Sequence, residues 1–421
     1  MERRAPPEAP GDTDIAAAPP DPDAAANPGY PSLLPIVDPR PVSGQNCHVL
    51  IGISLVYPGT YADGVVRGMA HYAQSKLDWE FDLQTEGREG ISKLLSRGAS
   101  GLIVSGQPEV FESMLPTLKI PAVNIGHALS HNSISSVIND EEAIGEMAAE
   151  HLLLRGYRAF GYCTQTGGVL DGRLVGYQRG LKKRGVDCQV FDVRDALAHP
   201  ERYPGRRLPT WLKNQPKPLG LFCMYDGHAR ELSRECAALG LRVPEDVAIL
   251  GVDNDVNCLL GHPQLSSVQT SLQRIGYEAA RLLDELIAGR GKNKEIRVPP
   301  VRVITRASTI EIVGSDKLVR AVLHHMQKHL TDSEGIERVC ERFGVSRRQL
   351  ERRFAAATGS TPAQAWADFR LEEAKRLLSQ TTLSLERTAK ECGYGDTKRL
   401  TANFKKATGM TPRMFRELMA I

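Results

Sequence analysis

The sequence predicts two stacked α/β lobes followed by an all-α domain containing two helix-turn-helix units, the whole preceded by a disordered tail. Three observations carry this expectation. Short apolar runs alternate with amphipathic helical patterns from residue 47 to about 310. Strand signals then stop near Gly314. Beyond that point the phrase Phe-x-x-Ala-Thr-Gly-x-Thr-Pro occurs twice, in "RFAAATGSTPAQ" from Arg353 and in "NFKKATGMTPRM" from Asn403.

Residues 1–46 are rich in Pro, Ala and Asp and show no hydrophobic period, so they cannot bury enough apolar surface to offset chain entropy. They also lack the apolar core of a secretory signal, and no run in the chain approaches the roughly 18 apolar residues that cross a bilayer. A cytoplasmic protein with no membrane partner is expected. The 8 cysteines are scattered singly with no CxxC pair, as reduced thiols rather than a disulfide or zinc framework.

The α/β region, 47–313, begins at "CHVLIGISLV" and continues through "GLIVSG" (101–106), "PAVNIG" (121–126), "AFGYCT" (159–164), "LGLFCM" (219–224) and "VAILGVD" (247–253). Continuous apolar strands separated by helices such as "DEEAIGEMAAEHLLLRG" and "GHARELSRECAALG" mean parallel sheets buried on both faces. Six or more strands over this length exceed one small doubly wound domain, and "RVPPVRVITRAST" (297–309) reads as the last strand. In such sheets ligands bind beyond the carboxyl ends of the strands, so polar residues at strand exits are the candidates.

The helical region, 314–421, carries 20 Lys and Arg against 13 Asp and Glu, whereas the rest of the chain carries 33 against 37. A basic module on a mildly acidic body points to a polyanion partner for that module. Ile336, Val339, Cys340 and Phe343 fall on one helical face, Gly344 ends the helix, Ser346 caps the next, and Leu350 and Phe354 face in. Leu385, Thr388, Ala389 and Cys392 repeat the pattern, with Gly393, Asp396, Leu400 and Phe404 in the matching places. Thr361 and Pro362 launch an intervening helix with Gln364 at the capping-box position, and Trp366, Phe369, Ala374, Leu377 and Leu378 share one face of it. Such a helix spans roughly 27 Å. Successive major-groove openings lie about 34 Å apart, so a spacer of that order holds two reading helices over adjacent grooves.

The exposed side of the first reading helix is expected to carry Arg347, Arg348, Gln349, Glu351, Arg352 and Arg353. The second offers Thr397, Lys398, Arg399, Thr401, Asn403, Lys405 and Lys406. Arginine reads guanine bidentately in the major groove. The alternative, a solvated face of a purely structural helical domain, has to explain two basic copies in register.

This stretch resembles the DNA-binding domain of AraC-type regulators, which implies Arg348, Glu351 and Arg352 as base readers in the first unit. Lys398, Thr401 and Ala402 take the corresponding places in the second, and Ala402 marks that unit as the weaker reader. The α/β region resembles the sugar-binding domain of LacI-type regulators and is thus periplasmic-binding-protein-like. The resemblance rests on "SVINDEEAIGEMAAEHLLLRGYRAFGY", "GRLVGYQRGLKKRG", "YDGHARELSRECAALGLRVPEDVAILGVDND" and "LSSVQTSLQRIGYEAARLLDELI". It implies Arg173 as a donor to adjacent sugar hydroxyls and Asp226 and Asp253 as acceptors, through charge-assisted bonds. Each aspartate has a structural alternative as a helix cap or turn acceptor. Tyr57 and Tyr61 in "VYPGTYADG" offer ring faces to a sugar, and Asp63 in the same loop stands at a pocket position where the resemblance places an arginine.

The combined resemblance implies a sugar-responsive transcription regulator that binds an operator in double-stranded DNA. It further implies an activator of a carbohydrate operon, with xylose or another pentose in view, acting as a homodimer and contacting RNA polymerase. No cofactor and no metal are expected; His127 and His131 in "GHALSHN" read as loop histidines. An enzyme working on a sugar through Asp226, Asp253 and Arg173 is the competing class. The sequence has no P-loop, no GxGxxG opening a helix, no HExxH and no GxSxG to support one. A third reading is a DNA-binding architectural protein whose body binds nothing.

Overall fold

The structure is a computed structural model that describes residues 49–55, 59–74, 76, 78–84, 87–105, 113–114, 117–126, 134–165, 171–198, 208–309, 316–331, 335–358, 360–408 and 410–419. The tail 1–46 and the proposed boundary at Gly314 lie outside the described residues.

Residues 49–309 form two six-stranded sheets. The first lobe holds β1 (Val49–Ser54), β2 (Trp79–Gln84), β3 (Gly101–Val104), β4 (Ala122–Asn124), β5 (Ser135–Asn139) and β11 (Glu295–Val298), in the order β11-β5-β4-β3-β1-β2, all parallel. The second holds β6 (Ala159–Thr164), β7 (Gln189–Asp192), β8 (Leu219–Cys223), β9 (Val247–Val252), β10 (Ser266–Gln269) and β12 (Arg302–Ile304), in the order β12-β10-β9-β8-β6-β7. Among the described strands only β12 runs antiparallel to its neighbour, β10. The central strands β3, β8 and β9 are buried at every residue, as their unbroken apolar runs require.

Helices cover both sheets. The first lobe has α1 (Thr60–Ala73) and α2 (Arg88–Ser96). The chain then leaves β5 and enters α3 (Glu141–Leu154), capped by Asp140, whose carboxylate accepts from the Ala143 N–H at 3.0 Å. α3 packs on α4 (Gly172–Lys182) in the second lobe. That lobe adds α5 (Val193–Ala198), α6 (Leu208–Asn214) and α7 (Asp226–Ala238). After β10 the chain returns to the first lobe as α8 (Leu272–Ile287), which lies on β3, β4 and β5 and against α1. The lobes are thus joined by three crossings, at 139–141, 269–272 and 298–302.

The expected last strand over 297–309 is corrected by this arrangement. It divides into β11 in one sheet, β12 in the other, and a 3₁₀ turn at Ala307–Thr309. Pro299 and Pro300 stand between the strands; neither has an N–H to give a ladder, so pairing stops there and the chain crosses between lobes.

Two glycine contacts fix the helix pairs. A Cβ on Gly68 of α1 would lie 1.9 Å from the Gln273 carbonyl oxygen of α8, and one on Gly176 of α4 would lie 1.9 Å from the Glu142 carbonyl oxygen of α3. Each lobe therefore has a helix pair that closes to backbone contact.

The helical domain comprises α9 (Lys317–Lys328), α10 (Ile336–Arg342), α11 (Arg347–Thr358), α12 (Pro362–Gln380), α13 (Leu385–Glu391), α14 (Thr397–Thr408) and α15 (Pro412–Met419). Gly344 and Gly393 take positive φ, 62° and 72°, at the two turns, as a left-handed helix stop demands. Ser346 and Asp396 cap the reading helices, accepting from Gln349 N–H at 3.2 Å and Arg399 N–H at 2.8 Å. Thr361 caps α12 through the Gln364 N–H at 3.2 Å, but the Gln364 side chain donates to Asp368 at 2.7 Å rather than closing a capping box. α12 serves two cores. Trp366 and Phe369 pack with the first unit's Leu350 and Phe354; Ala374, Leu377 and Leu378 pack with the second unit's Leu400 and Phe404. No described helix is long and apolar enough to cross a membrane.

Candidate effector cleft and nucleic-acid interface

The candidate site is built where the start of α1 and the ends of β4, β8 and β9 meet the starts of α3 and α4. Tyr61, in the first turn of α1, donates its hydroxyl to the Ile125 carbonyl just beyond β4. Burial, then the nearby Asp253 and Glu141 carboxylates, drive its phenol well above its ordinary range, so it stays a neutral donor. A first-lobe ring is thereby set beside the second lobe's charges.

Arg173 is at the centre of those charges. Asp171 caps α4 by accepting the Arg173 N–H at 2.9 Å, which turns the side chain inward. Its guanidinium donates to Glu141, with Nη2 3.3 Å from Oε1, and to the Met224 carbonyl at the end of β8. Burial works against the charge, but Glu141 and Asp253 outweigh it and hold the guanidinium protonated. Asp253, half-buried at the exit of β9, accepts from Thr270 Oγ1 at 3.1 Å. Burial raises its pKa and Arg173 pulls it back.

Asp253 and Asn254 both have positive φ, 94° and 55°. For a non-glycine residue such a backbone costs about 1–3 kcal/mol and persists only when its surroundings hold it. Here they do. Asp253 N–H bonds the Val268 carbonyl at 2.9 Å, Asn254 N–H bonds Ser267 Oγ at 2.9 Å, and Arg306 holds Asn254 Oδ1 at 2.6 Å.

Asp226 has a different setting. Its carboxylate is fully buried at the start of α7, beneath the loop after β9, and accepts the Asp255 N–H at 2.8 Å. Burial pushes its pKa up to about 7, partly offset by bonds from Ser267, Asp255 and Cys258. This is the turn-acceptor geometry that the sequence left as its alternative role. Donor atoms of Asp226, Asp255 and Cys258 lie within 4.8 Å of one another. The two carboxylates already serve the loop's own N–H groups, and burial keeps the Cys258 thiol protonated.

Asp63 sits on α1 exposed to solvent, and Tyr57, His127 and His131 lie outside the described residues. Sequence reasoning missed Glu141, the partner of Arg173, and the rim pair Gln165 and Tyr225, where the Gln165 amide donates to the Tyr225 hydroxyl at 2.6 Å. Glu141 gave one signal, an acid next to a capping aspartate at a helix start, and that signal is common to most helices. Arg173, Glu141, Asp253 and Tyr61 together offer fixed donors and acceptors beside an aromatic ring, a set suited to a neutral polyhydroxylated ligand.

In the helical domain Arg347, Arg348 and Arg352 are exposed on α11 and Glu351 is half-buried. Arg347 is held by Glu337 at 2.5 Å and Glu351 at 2.9 Å. Arg348 and Arg352 have no ion pair among the described residues and extend from the helix. Arg353, expected on the same face, instead reaches back to α9, where its Nε and Nη2 grip the Asp316 carboxylate at 2.6 Å each. It follows Leu350 by three residues and borders the buried stripe. On α14, Lys398, Arg399, Asn403 and Lys405 are exposed and Thr401 is half-buried; the Asn403 amide donates to the Arg399 carbonyl at 2.9 Å. Lys398, Thr401, Ala402 and Lys405 line one shallow depression.

Comparison with known proteins finds two family matches in the chain. The periplasmic binding protein-like domain family matches residues 149–309, and a helix-turn-helix domain family matches residues 339–418. The xylose operon regulatory protein of Escherichia coli (strain K12) is 28% identical over 382 residues, covering 85% of this chain and 94% of that protein. The protein of the same description from Haemophilus influenzae is 27% identical over 369 residues, covering 85% and 95%. A solved structure of a xylose-binding transcription activator is 27% identical with a TM-score of 0.51, covering 87% of this chain and 98% of that one.

Proposed function

We propose that this chain, a DNA-binding transcription regulator in which a periplasmic-binding-protein-like domain precedes an AraC-type double helix-turn-helix domain, takes a sugar in its interlobe cleft and controls a carbohydrate operon in response. The observation that carries this reading is the cluster of Tyr61, Glu141, Arg173 and Asp253 at the junction of the lobes. Glu141 and the Met224 carbonyl accept from the Arg173 guanidinium. Sugar hydroxyls take over part of that donor set, Asp253 accepts from a neighbouring hydroxyl, and the Tyr61 ring covers a C–H face. A pentose fits the small donor set, and xylose is the first candidate because it is named for the relatives. Activation of the operon, contact with RNA polymerase, a homodimer presenting paired helix-turn-helix units, and a cytoplasmic location complete the proposal.

The test is thermal unfolding against pentoses, hexoses and sugar phosphates, beside Asp253→Ala. A ligand at 100 times its Kd adds about 2.7 kcal/mol to stability. One sugar should raise the wild-type Tm and leave the variant unmoved. No shift with any sugar, or turnover of a bound sugar, contradicts the proposal.

A further inference from the structure

The α/β region does not merely adjoin the helical domain: the end of α3 enters the first helix-turn-helix core and the third crossing enters the second. α3 starts at the first crossing with Glu141 in the cleft and runs 14 residues, about 21 Å, to Leu154. Leu154 is buried in the first unit's core, with Val322, Leu323, Trp366 and Phe369. Val301, on the third crossing, is buried in the second unit's core, with Ala374, Leu377, Leu378 and Phe404. Its N–H bonds the Gln269 carbonyl at 2.8 Å, and Gln269 begins the second crossing. The third crossing thus touches α12 directly, the second is bonded to it through Val301, and the first is joined to the other end of α12 through the length of α3.

Polar contacts lock the same joint. Arg155, just past α3 and fully buried, donates from Nε to the Thr309 carbonyl at 2.8 Å and from Nη2 to Thr305 Oγ1 at 3.0 Å. It also donates to the His151 carbonyl at 3.0 Å. His151 pairs with Thr309 Oγ1 at 2.8 Å, and its other ring nitrogen lies 3.8 Å from Glu372 of α12. The next residue after Val301, Arg302, is buried and faces Glu372, Glu373 and Arg376 of α12 electrostatically.

We infer that lobe movement is transmitted to DNA through α12, because Leu154 and Val301 grip it in the first and second cores respectively. Rotation about the crossings displaces Val301 relative to Leu154. A packed core resists partial displacement, so α12 and the second unit move with the hinge, and the spacing of α11 from α14 changes. Coupling of this kind needs one element that both sites bias, and α12 is that element. The inference rests on the proposed sugar response.

The experiment uses full-length protein and DNA from upstream of its own transcription unit, with D-xylose, D-ribose and L-arabinose as probes. Wild type, Val301→Ala and Glu372→Gln are compared by thermal shift with each sugar and by DNA affinity with and without it. Glu372→Gln is nearly isosteric and serves where Val301→Ala fails to fold. The expected result is a sugar that changes wild-type DNA affinity about tenfold or more. In the variants the same sugar still raises Tm and DNA still binds, but the change in affinity falls below about twofold. Variants that keep the wild-type ratio overturn the inference. So does a sugar that stabilises the wild type without altering its DNA affinity, a result that leaves the sugar site standing. Absence of any thermal shift in the wild type removes the sugar proposal itself, and this inference with it.

Discussion

Arg173 and Glu141 hold each other across the starts of two helices, 32 residues apart, one guanidinium on one carboxylate. The pair is unequal. The Arg173 side chain is 10% exposed and the Glu141 side chain 29%. Removing the carboxylate leaves a largely buried charge with the Met224 carbonyl and nearby Asp253 as its remaining partners; removing the guanidinium leaves an acid that can hydrate.

Glu141→Ala is therefore expected to destabilise the protein by about 2 kcal/mol or more, and Arg173→Ala by less, in urea unfolding at neutral pH. Equal losses, or the reverse order, would show that the buried charge is satisfied elsewhere.

At Gly176 a methyl group would press on the Glu142 carbonyl oxygen, whereas at Gly59 a Cβ would meet nothing within 4 Å and φ is extended at 169°. Gly176→Ala should force α3 from α4 at a cost of about 1–3 kcal/mol or more, with Gly59→Ala close to neutral. Denaturant midpoints separate the two; a neutral Gly176→Ala refutes the close helix contact.

For the reading helix, Arg348→Ala and Arg352→Ala are each expected to weaken specific DNA binding by about 1–3 kcal/mol and to relax sequence preference. Arg353→Ala should instead lower the Tm slightly through loss of the Asp316 clamp, leaving DNA affinity nearly intact. Anisotropy titrations with matched and mismatched duplexes, beside Tm, decide this. An Arg353 variant with full Tm and poor DNA binding would place that side chain on the groove.

Asp226, with its pKa raised by burial to about 7, binds a proton in the folded state that the unfolded chain releases near pH 4. Its contribution is complete below the unfolded value and is lost as pH rises towards 7. Asn keeps an acceptor for the Asp255 N–H and never ionises. The stability of Asp226→Asn relative to wild type should therefore increase between pH 4.5 and pH 8, by about 3 kcal/mol at 1.36 kcal/mol per pKa unit. A difference independent of pH would mean that Asp226 titrates alike in both states.

The local signals in this sequence served well where the cause was local. Ser346, Asp396, Gly344 and Gly393 punctuate the helices where their chemistry places them, and the apolar runs became buried strands. Arg173 and Asp253 do come together beside Tyr61. What the sequence hid depends on long-range geometry. Glu141 becomes a cleft residue only because α3 and α4 close on their glycines. Arg353 could have been placed from helical phase, since it follows Leu350 by three residues, but its partner Asp316 belongs to another helix. The division of 297–309 into two sheets was visible in Pro299 and Pro300, whose missing N–H groups outweigh the apolar run around them.

The most direct test of the central claim is a titration of DNA from upstream of the protein's own transcription unit, with and without the sugar that raises its Tm, on wild type and Asp253→Ala. The account predicts that the sugar shifts wild-type DNA affinity about tenfold or more while the variant binds DNA equally with and without it. Wild-type affinity unchanged by every sugar that binds, or a full response retained by Asp253→Ala, would contradict it.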